Sequence, residues 1–529
     1  MRGRFALDPV SATIAGLHEH DHRLGDFSGA GFAARDAFVD EWLAKLEALP
    51  TEDLAPKDRV DRDLILADLR GDHALRPFAR WRRQPTLYSD VITRAAYYAF
   101  LREHAPLAER AATLAERLDQ APAALEDAKR NLDPARVPVE WIAIALRTVP
   151  AAATFLRETA PALLPTNTAL ERTVARAFRP AAERAAAALD AYAEWLEREL
   201  LPIAHGSFVI GPEATDAWLR EKELLDYDRT LLRAWGKELV AETEATLARA
   251  SRELGFEDWR AAIAELRADH PSEDQLVATY HEEMERSRLA TATASVATLP
   301  YGEDLVVEEM PEFQRTTYPY AAYVGAGPFE SSRRGRFWVT LPNRDDDEST
   351  RRERLEGHPR AGIPVIACHE GYPGHHLQLT VAADSASWAR KALRSNLMVE
   401  GWGLYVEELM TEVGYLDAPA TRLLRVKDLL WRACRVVVDV GLCTGETSFE
   451  EAVTFMVETA KLERPNALAE VRRYTLNPLQ PSSYALGRAA LLALRDKARK
   501  AGWGMRLFHD RVLAAGSLPP KLLERELGL

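Results

Sequence analysis

The sequence predicts a large, mainly α-helical protein with one small β element. Apolar residues recur at i, i+3, i+4 and i+7 over most of residues 28–298 and again after residue 400, which is the spacing of one helix face. Between residues 299 and 342 the pattern changes, because β-branched and aromatic residues cluster at 306–307, 320–324 and 337–340 as they do in short strands. These observations favour a helical scaffold that carries a minor sheet.

Individual elements follow from the same periodicity. Helices are predicted over 36–49, 57–75, 107–131, 170–201 and 420–440. Ser448 and Glu451 have the spacing of a capping box and predict the start of a further helix. The segment 343–358 is highly charged, so we expect an exposed loop or lid there.

Composition limits the partners and the compartment. The chain has 529 residues, of which 47% are hydrophobic and 28% charged, which is typical of a protein with a sizeable core. Its net charge of -13 argues against nucleic acid or an anionic membrane as the main partner, because both favour a basic face. No apolar run reaches the ~18 residues of a membrane span, and the N-terminus lacks a signal-peptide core, so we expect a cytoplasmic protein. Cys368, Cys434 and Cys443 lack metal-site spacing and are predicted to be reduced, buried thiols.

Residues 18–22, His-Glu-His-Asp-His, match the zinc-binding pattern His-Glu-x-x-His, and Glu41 follows at a plausible distance for a third ligand. A zinc-binding helix buries the face opposite its ligands, yet every position from 18 to 23 is polar or charged. Gly25 also tends to end a helix close to this point. We therefore predict a solvated helix end here and not a catalytic site.

The strongest signal for chemistry lies in residues 365–378, V-I-A-C-H-E-G-Y-P-G-H-H-L-Q. In zinc hydrolases, two imidazoles on one helix face bind the ion and an adjacent glutamate activates its water. Here four residues separate Glu370 from His375, where the usual pattern has two. On a regular helix His375 would therefore lie roughly 120° around the axis from His369.

The inserted residues indicate how this mismatch is repaired. Pro373 has no N–H to donate, and the glycines on either side permit unusual backbone shapes. We expect a bulged turn after Glu370 that absorbs two residues and brings His375 back over His369. His376 is the alternative ligand, but on an unbroken helix it lies about 10 Å further along the axis, so His375 is preferred. The other interpretation is a set of hydrogen-bonded histidines in a Gly-Pro turn.

A catalytic zinc site with two histidines takes its third protein ligand from elsewhere in the chain. Glu400 lies 25 residues after His375, which leaves room for a second helix to pack alongside the first. Its neighbours Met398, Val399 and Trp402 are apolar, so Glu400 is expected to point into the protein. The alternative is a carboxylate placed there by the N-terminus of a helix.

Three motifs together resemble the bacterial family called domain of unknown function 885: H-E-G-Y-P-G-H-H-L-Q, E-G-W-G-L-Y-V-E-E-L and P-L-Q-P-S-S-Y-A-L-G-R. Residues 17–26 and 325–339 resemble it more loosely, so the resemblance covers most of the chain. It implies a zincin-like helical fold, similar to that of helical peptidases with His-Glu-x-x-His and a later Glu. It also implies zinc bound by His369, His375 and Glu400, although the spacing here is wider than in those peptidases.

Other candidate residues flank this core of motifs. Tyr484 is predicted in the first turn of a helix, where its phenol could donate to the oxyanion of a tetrahedral intermediate or simply pack in the core. The resemblance favours the functional role for Tyr484. Arg488 and Arg472 are weaker candidates, Arg488 for substrate contact. Arg333 and Arg334 lie in a turn between two strands and could grip a substrate carboxylate beside an edge strand. An ordinary solvated turn is the alternative.

These residues predict a zinc-dependent hydrolase that cleaves short peptides or other amide bonds in a deep cleft. Glu370 acts as the general base for the zinc-bound water, and the metal and Tyr484 stabilise the oxyanion. Residues 1–298 would form a helical N-terminal region and residues 299–529 a catalytic region, packed as one integrated domain. Two alternatives are a metal-dependent acyl or glutamyl transferase, and a helical binding protein whose metal is structural or absent.

Overall fold

The computed structural model describes residues 1–311, 315, 320–343 and 346–529, and it is mainly helical, as the sequence predicts. The α-helices, numbered in chain order, are α1 Arg2–Leu7, α2 Pro9–Ala15, α3 Gly29–Glu47, α4 Pro56–Leu75, α5 Thr86–Leu101, α6 Leu107–Leu118, α7 Ala121–Asn131, α8 Val139–Thr154, α9 Ala160–Ala162, α10 Ala169–Trp195, α11 Pro212–Ala217, α12 Arg229–Glu253, α13 Trp259–Ala268, α14 Glu273–Thr293, α15 Glu348–Glu356, α16 Ile363–Glu370, α17 His375–Ala383, α18 Trp388–Ala392, α19 Asn396–Glu412, α20 Pro419–Thr444, α21 Phe449–Glu458, α22 Arg464–Leu476, α23 Gln480–Lys500, α24 Met505–Ala515 and α25 Pro520–Leu527. Short 3₁₀ segments occur at Arg76–Phe78, Arg80–Arg82 and Leu201–Ile203, and π-helical turns at Phe155–Thr159, Leu196–Leu200 and Trp218–Lys222.

The chain divides into two compact units. The first comprises residues 1–49, 69–210 and 329–331, and within it α10 packs against α6, α7 and α8. The second comprises residues 50–68, 211–328 and 332–529 and contains the predicted metal-binding and catalytic residues. Within this second unit, α19 packs on α23 and α12 packs on α20. The division of the sequence at residue 298 stays a prediction.

Helix starts are set by local side-chain caps. Ser448 and Glu451 form the predicted capping box at the start of α21, which confirms that prediction. The predicted helix over 107–131 is interrupted, because α6 ends at Leu118 and α7 begins at Ala121. The segment 343–358 contains α15 where a loop was expected, and Asp347 caps it by accepting from the Thr350 amide at 2.7 Å. Residues 344–345 of that segment lie outside the described residues.

A three-stranded sheet forms where strands were predicted within the described residues. Its strands are β1 Asp304–Glu309, β2 Ala321–Val324 and β3 Arg334–Val339, in the order β1-β3-β2. β1 runs parallel to β3, and β2 runs antiparallel to it. One face of β3 packs Phe337 and Val339 into a core shared with Tyr280 of α14 and Ala367 of α16. This core holds α16 against the sheet.

By length and composition alone, the stretch Val139–Ala162 is apolar enough to cross a membrane. This stretch is not an uninterrupted apolar run, because Glu140, Arg147 and Arg157 lie within it. Core helices of globular proteins meet the same criteria. In the first unit this stretch begins with α8, which packs against α10.

The three cysteines are free and buried, as predicted.

Candidate metal centre

The segment after Glu370 is a break between two helices. α16 ends at Glu370 and α17 begins at His375, with a cis peptide bond between Tyr372 and Pro373. A Cβ atom on Gly374 would lie 1.9 Å from the main-chain oxygen of His369, so only glycine fits this turn. The expected bulged turn is therefore replaced by a helix end and a new start, which redirect the chain and return His375 to His369.

His369, Glu370 and His375 form a compact group. Each offers a ligand atom, and these atoms all lie within 4.8 Å of one another. The two imidazole rings are perpendicular, with centroids 4.8 Å apart, and both histidines are buried. Burial lowers the pKa of His375, and the Glu370 charge only partly opposes this effect. The group offers two imidazoles and a carboxylate to one point in space.

Glu407 orients the first imidazole. Its Oε1 lies 2.7 Å from Nδ1 of His369, and the Glu407 side chain is 2% exposed. Burial lowers the pKa of His369, but the hydrogen bond with Glu407 and the charge of Glu370 outweigh it, so that this pKa is raised. Because Nδ1 is engaged, Nε2 is the nitrogen left for a metal, and such carboxylate–histidine pairs are common behind metal ligands.

Gly403 of α19 has no side chain, and this leaves space for the His369 ring. A Cβ on Gly403 would lie 2.6 Å from the His369 ring, so glycine is needed for the imidazole to lie against α19. Glu407 was not among the predicted site residues. A signal was available, because Glu400 and Glu407 are seven residues apart and therefore lie on one face of a helix.

Glu400 approaches the group from α19. Its Oε2 lies 3.7 Å from Nε2 of His375, and its side chain is 19% exposed. Gln480 Nε2 donates to Glu400 Oε1 at 3.4 Å and so links this carboxylate to α23. Glu400 thus lies beside the second histidine, but it is not one of the three residues whose ligand atoms are mutually within 4.8 Å.

His376 points to different partners. Its Nδ1 lies 3.1 Å from the Tyr323 hydroxyl, and its Nε2 lies 3.0 Å from Oε2 of Glu303. A Cβ on Gly335 would come within 2.6 Å of Nδ1, so this glycine of β3 accommodates the ring. Both ring nitrogens of His376 are therefore engaged by side chains of the sheet region, whereas His375 faces His369.

Glu303 forms hydrogen bonds with side chains from three separate segments, one of which is His376. Besides the histidine, it accepts hydrogen bonds from the Tyr372 hydroxyl and, at 2.8 Å, from Nε of Arg288. Burial alone would raise its pKa, but the hydrogen bonds from His376, Tyr372 and Arg288 lower the pKa of Glu303 to about 2. This carboxylate was not identified from the sequence, because its partners are distant along the chain.

Tyr484 is the fifth residue of α23, just beyond the first turn predicted for it, because the helix begins at Gln480. Gln480 Nε2 donates to its hydroxyl at 3.5 Å, so one amide contacts both Tyr484 and Glu400. Burial, and then the charge of Glu400, raise the pKa of Tyr484. The phenol therefore stays protonated near Glu400 and can act as a hydrogen-bond donor.

The three arginines predicted to bind substrate are paired with carboxylates. Arg333 contacts Asp384 at 2.6 Å, and Arg334 contacts Asp304 at 2.7 Å. Arg488 donates to Glu408 through Nε at 2.8 Å and also through Nη2. The structure places all three in ion pairs and does not bring them into the His369–Glu370–His375 group.

Residues 18–22 form a turn after α2 and not the expected helix end. His18 and Asp21 are half-buried, with Nδ1 of His18 2.8 Å from Oδ2 of Asp21, and the His18 ring stacks on His104. The turn is less solvated than expected because Asp21 also lies 3.5 Å from Arg117, a buried cation that needs a carboxylate. The contacts with His104 and Arg117 span long sequence separations and could not be seen in the motif itself.

The fold and the site define a mainly helical protein in which two buried histidines and a half-buried glutamate meet where one helix ends and the next begins. The model for a family of bacterial proteins of unknown function, DUF885, matches residues 9–527, and the chain belongs to this family. This match confirms the family resemblance predicted from the sequence motifs.

Two solved structures share the fold. One is a proposed lipoprotein of unknown function from Shewanella oneidensis, with 22% identity, a TM-score of 0.81, and coverage of 100% of this chain and 97% of that one. The other is a proposed lipoprotein from Colwellia psychrerythraea, with 19% identity, a TM-score of 0.82, and coverage of 100% and 96%. No curated protein matches the sequence. At these identities the likeness establishes the fold alone.

Proposed function

We propose that this chain is a zinc-dependent hydrolase of short peptides or other amides, with a zincin-like centre. The observation that carries the proposal is the convergence of His369, Glu370 and His375, whose ligand atoms lie within 4.8 Å of one another. Glu400 lies 3.7 Å from His375 and supplies a third ligand. Two histidines and a glutamate are a common ligand set of catalytic zinc.

The chemistry of these side chains fits the ion. Nδ1 of His375 is buried and has no hydrogen-bond partner among the described residues. An unpartnered buried nitrogen costs about 1–3 kcal/mol, and it is the nitrogen opposite Nε2, the one that lies beside Glu400. Both nitrogens of His376 are engaged by Tyr323 and Glu303, whereas Nε2 of His375 lies beside Glu400, and this contrast favours His375 as the ligand.

When bound, zinc supplies Lewis acidity that polarises the carbonyl and acidifies the attacking water. Glu370 accepts the proton of that water and then passes it to the leaving amine. The protonated phenol of Tyr484 donates to the developing oxyanion. Glu407 keeps His369 in one tautomer and orientation.

Small or extended substrates suit this centre. His369 is 7% exposed and His375 is 8% exposed, so a folded protein surface would not reach them. A short peptide or a small amide is small enough to reach side chains this buried, and charge interactions shielded from bulk water are stronger than in solution.

The test combines metal content with turnover. Purified protein should hold about one zinc ion per chain, and His369→Ala should lose it. His73→Ala is the matched control, because His73 is an exposed histidine. Glu370→Ala should keep the zinc and lose roughly 10²–10⁴-fold in hydrolysis of a peptide library. Undiminished hydrolysis by zinc-loaded Glu370→Ala would overturn the proposal.

A further inference from the structure

One face of α20 carries a row of charged side chains. Residues 425, 428, 432, 435 and 439 follow each other at spacings of three and four, which places them along one side of a helix. All five are arginine or aspartate residues that are buried or half-buried in the second unit, and one of them, Asp439, accepts from the Ser482 amide at the start of α23. Burying a charge is costly unless the charge is paired, so each of these side chains is expected to have a partner or a function.

Positive charge exceeds negative charge around this face. Glu470 accepts from both Arg435, at 3.1 Å, and Arg473, at 2.9 Å, and also from the Tyr474 hydroxyl. Burial would raise the pKa of Glu470, but the two guanidinium groups lower it to about 2. One carboxylate thus serves two arginines.

A second carboxylate is shared in the same way. Asp428 contacts Lys427 at 3.0 Å and Arg432 at 3.5 Å. Among these contacting residues, four cations meet two carboxylates, which leaves two positive charges in excess. Nε of Arg432 is also buried without a hydrogen-bond partner among the described residues. This arrangement has both the charge and an unused donor to receive an anion.

The charged face is connected to the candidate centre through one side chain. Gln480 donates from Nε2 to Glu400 at 3.4 Å and accepts at Oε1 from Arg473 at 3.3 Å. The guanidinium of Arg435 lies over the Tyr484 ring, 4.9 Å from its centroid. A single amide therefore spans the gap from the proposed zinc ligand to Arg473.

We propose that Arg432, Arg435 and Arg473 form a subsite for a carboxylate of the substrate, so that this centre selects anionic short peptides. The gap bridged by Gln480 is one that about two residues of extended chain can cover, at ~3.5 Å per residue. A guanidinium group can bind a carboxylate through two parallel hydrogen bonds, which an ammonium group cannot do, so arginine suits such a subsite better than lysine. The inference rests on the proposed function and names its substrate class.

The carboxylate can come from a free C-terminus or from an acidic side chain. Three peptides of one sequence separate these sources: one with a free C-terminus and a Gln side chain, one amidated with a Glu side chain, and one amidated with Gln. Binding is measured by calorimetry on zinc-loaded Glu370→Gln protein, and turnover is measured on the wild type. We expect at least one carboxylate peptide to bind about ten-fold tighter than the neutral peptide, which corresponds to 1.4 kcal/mol.

The arginine variant tests the location of the subsite. In the Glu370→Gln background, Arg473→Gln should reduce the preference for the carboxylate peptide to about two-fold or less. Arg464→Gln is the matched control on the same helix, because Arg464 is exposed and pairs with Glu450, and it should leave the preference unchanged. Equal binding of all three peptides, or a preference that survives Arg473→Gln, would overturn the subsite. Tighter binding of a carboxylate peptide without any wild-type turnover would keep the subsite and sink the hydrolase proposal.

Discussion

Around His369, the partner that each glutamate contacts depends on the position of that glutamate around its helix axis. Glu370 follows His369 in α16 and lies in the group of possible ligands. Glu407 reaches Nδ1 of His369 from α19, while its sequence neighbour Glu408 turns away to pair with Arg488. Successive residues of a helix differ by about 100°, so adjacent glutamates of one sequence motif have unrelated partners.

Glu407→Gln should weaken zinc binding by about 10- to 100-fold, because the amide keeps the hydrogen bond but removes the charge that makes His369 a better ligand. Competition with a chromogenic chelator measures the affinity. Glu408→Gln is the control, since it changes the adjacent glutamate, whose contact is Arg488. Equal zinc affinity of the two variants would show that Glu407 does not support the metal ligand.

At the scale of elements, the start of α23 is fixed by a side chain of α20. Asp439 is buried and accepts from the amides of Leu479 and Ser482, each at 3.0 Å, and from the Ser482 hydroxyl at 2.6 Å. These donors belong to the first residues of α23 and the residue before it, which lack partners within the helix. Asp439 therefore positions the turn that carries Gln480 and Tyr484.

Asp439→Ala should lower the free energy of unfolding by roughly 2–3 kcal/mol, because it leaves buried donors at the start of α23 without an acceptor. Urea denaturation measures the loss. Asp496→Ala, in α23 itself, removes an exposed carboxylate paired with Arg499 and should cost less than ~1 kcal/mol. Similar costs for the two variants would mean that the aspartate cap does not organise the helix start.

α19 and α23 approach closely because two glycines meet at their crossing. A Cβ on Gly401 would lie 2.4 Å from the Cα of Gly487, and a Cβ on Gly487 would lie 1.8 Å from the main-chain oxygen of Leu397. Side chains at these positions would force the helices apart. The close crossing is what lets Gln480 of α23 contact Glu400 of α19.

At the scale of the whole molecule, Glu303 links elements that are far apart in the sequence of the second unit. It contacts Arg288 of α14, Tyr372 in the turn after α16, and His376 of α17. The side chain is 4% exposed. The stability of this unit therefore depends on the charge of one buried carboxylate.

The lowered pKa of Glu303 determines how the free energy of unfolding changes with pH. Its hydrogen bonds hold the pKa of Glu303 at about 2, below the ordinary value of 4.5, so its contribution to stability is complete above pH 4.5 and is lost as the pH falls toward 2. A shift of this size corresponds to roughly 3 kcal/mol. Urea unfolding at a series of pH values should show that Glu303→Gln is less stable than the wild type at pH 7.

The difference between Glu303→Gln and the wild type should shrink below pH 4.5. Comparison with the wild type is needed because other carboxylates titrate in the same range. Asp304→Asn is the matched control, since this neighbouring carboxylate is 46% exposed and pairs with Arg334 at the surface. A constant difference between Glu303→Gln and the wild type from pH 7 to pH 3 would contradict the assignment.

Much of the fold was predictable because it depends on local periodicity. The helical class, the three strands and the capping box at Ser448 all follow from patterns a few residues long. The candidates His369, Glu370, His375 and Glu400 were also predictable, because few residue types bind zinc. The interruption between α6 and α7 and the turn at residues 18–22 were predicted wrongly. Gln120 at the interruption contacts the main chain of His22 and Leu24, and Asp21 contacts Arg117, and such distant partners leave no trace in local periodicity.

By itself the sequence determined which residues could bind a metal or act in catalysis, and that these residues would lie on helices. Only the tertiary structure decided how the chain turns between Glu370 and His375, and that His376 faces Glu303. It alone brought Glu407 to His369 and Arg473 to Gln480 beside Glu400. The reason is physical: helix periodicity is local, whereas a buried charge takes its partner from any element that packs against it.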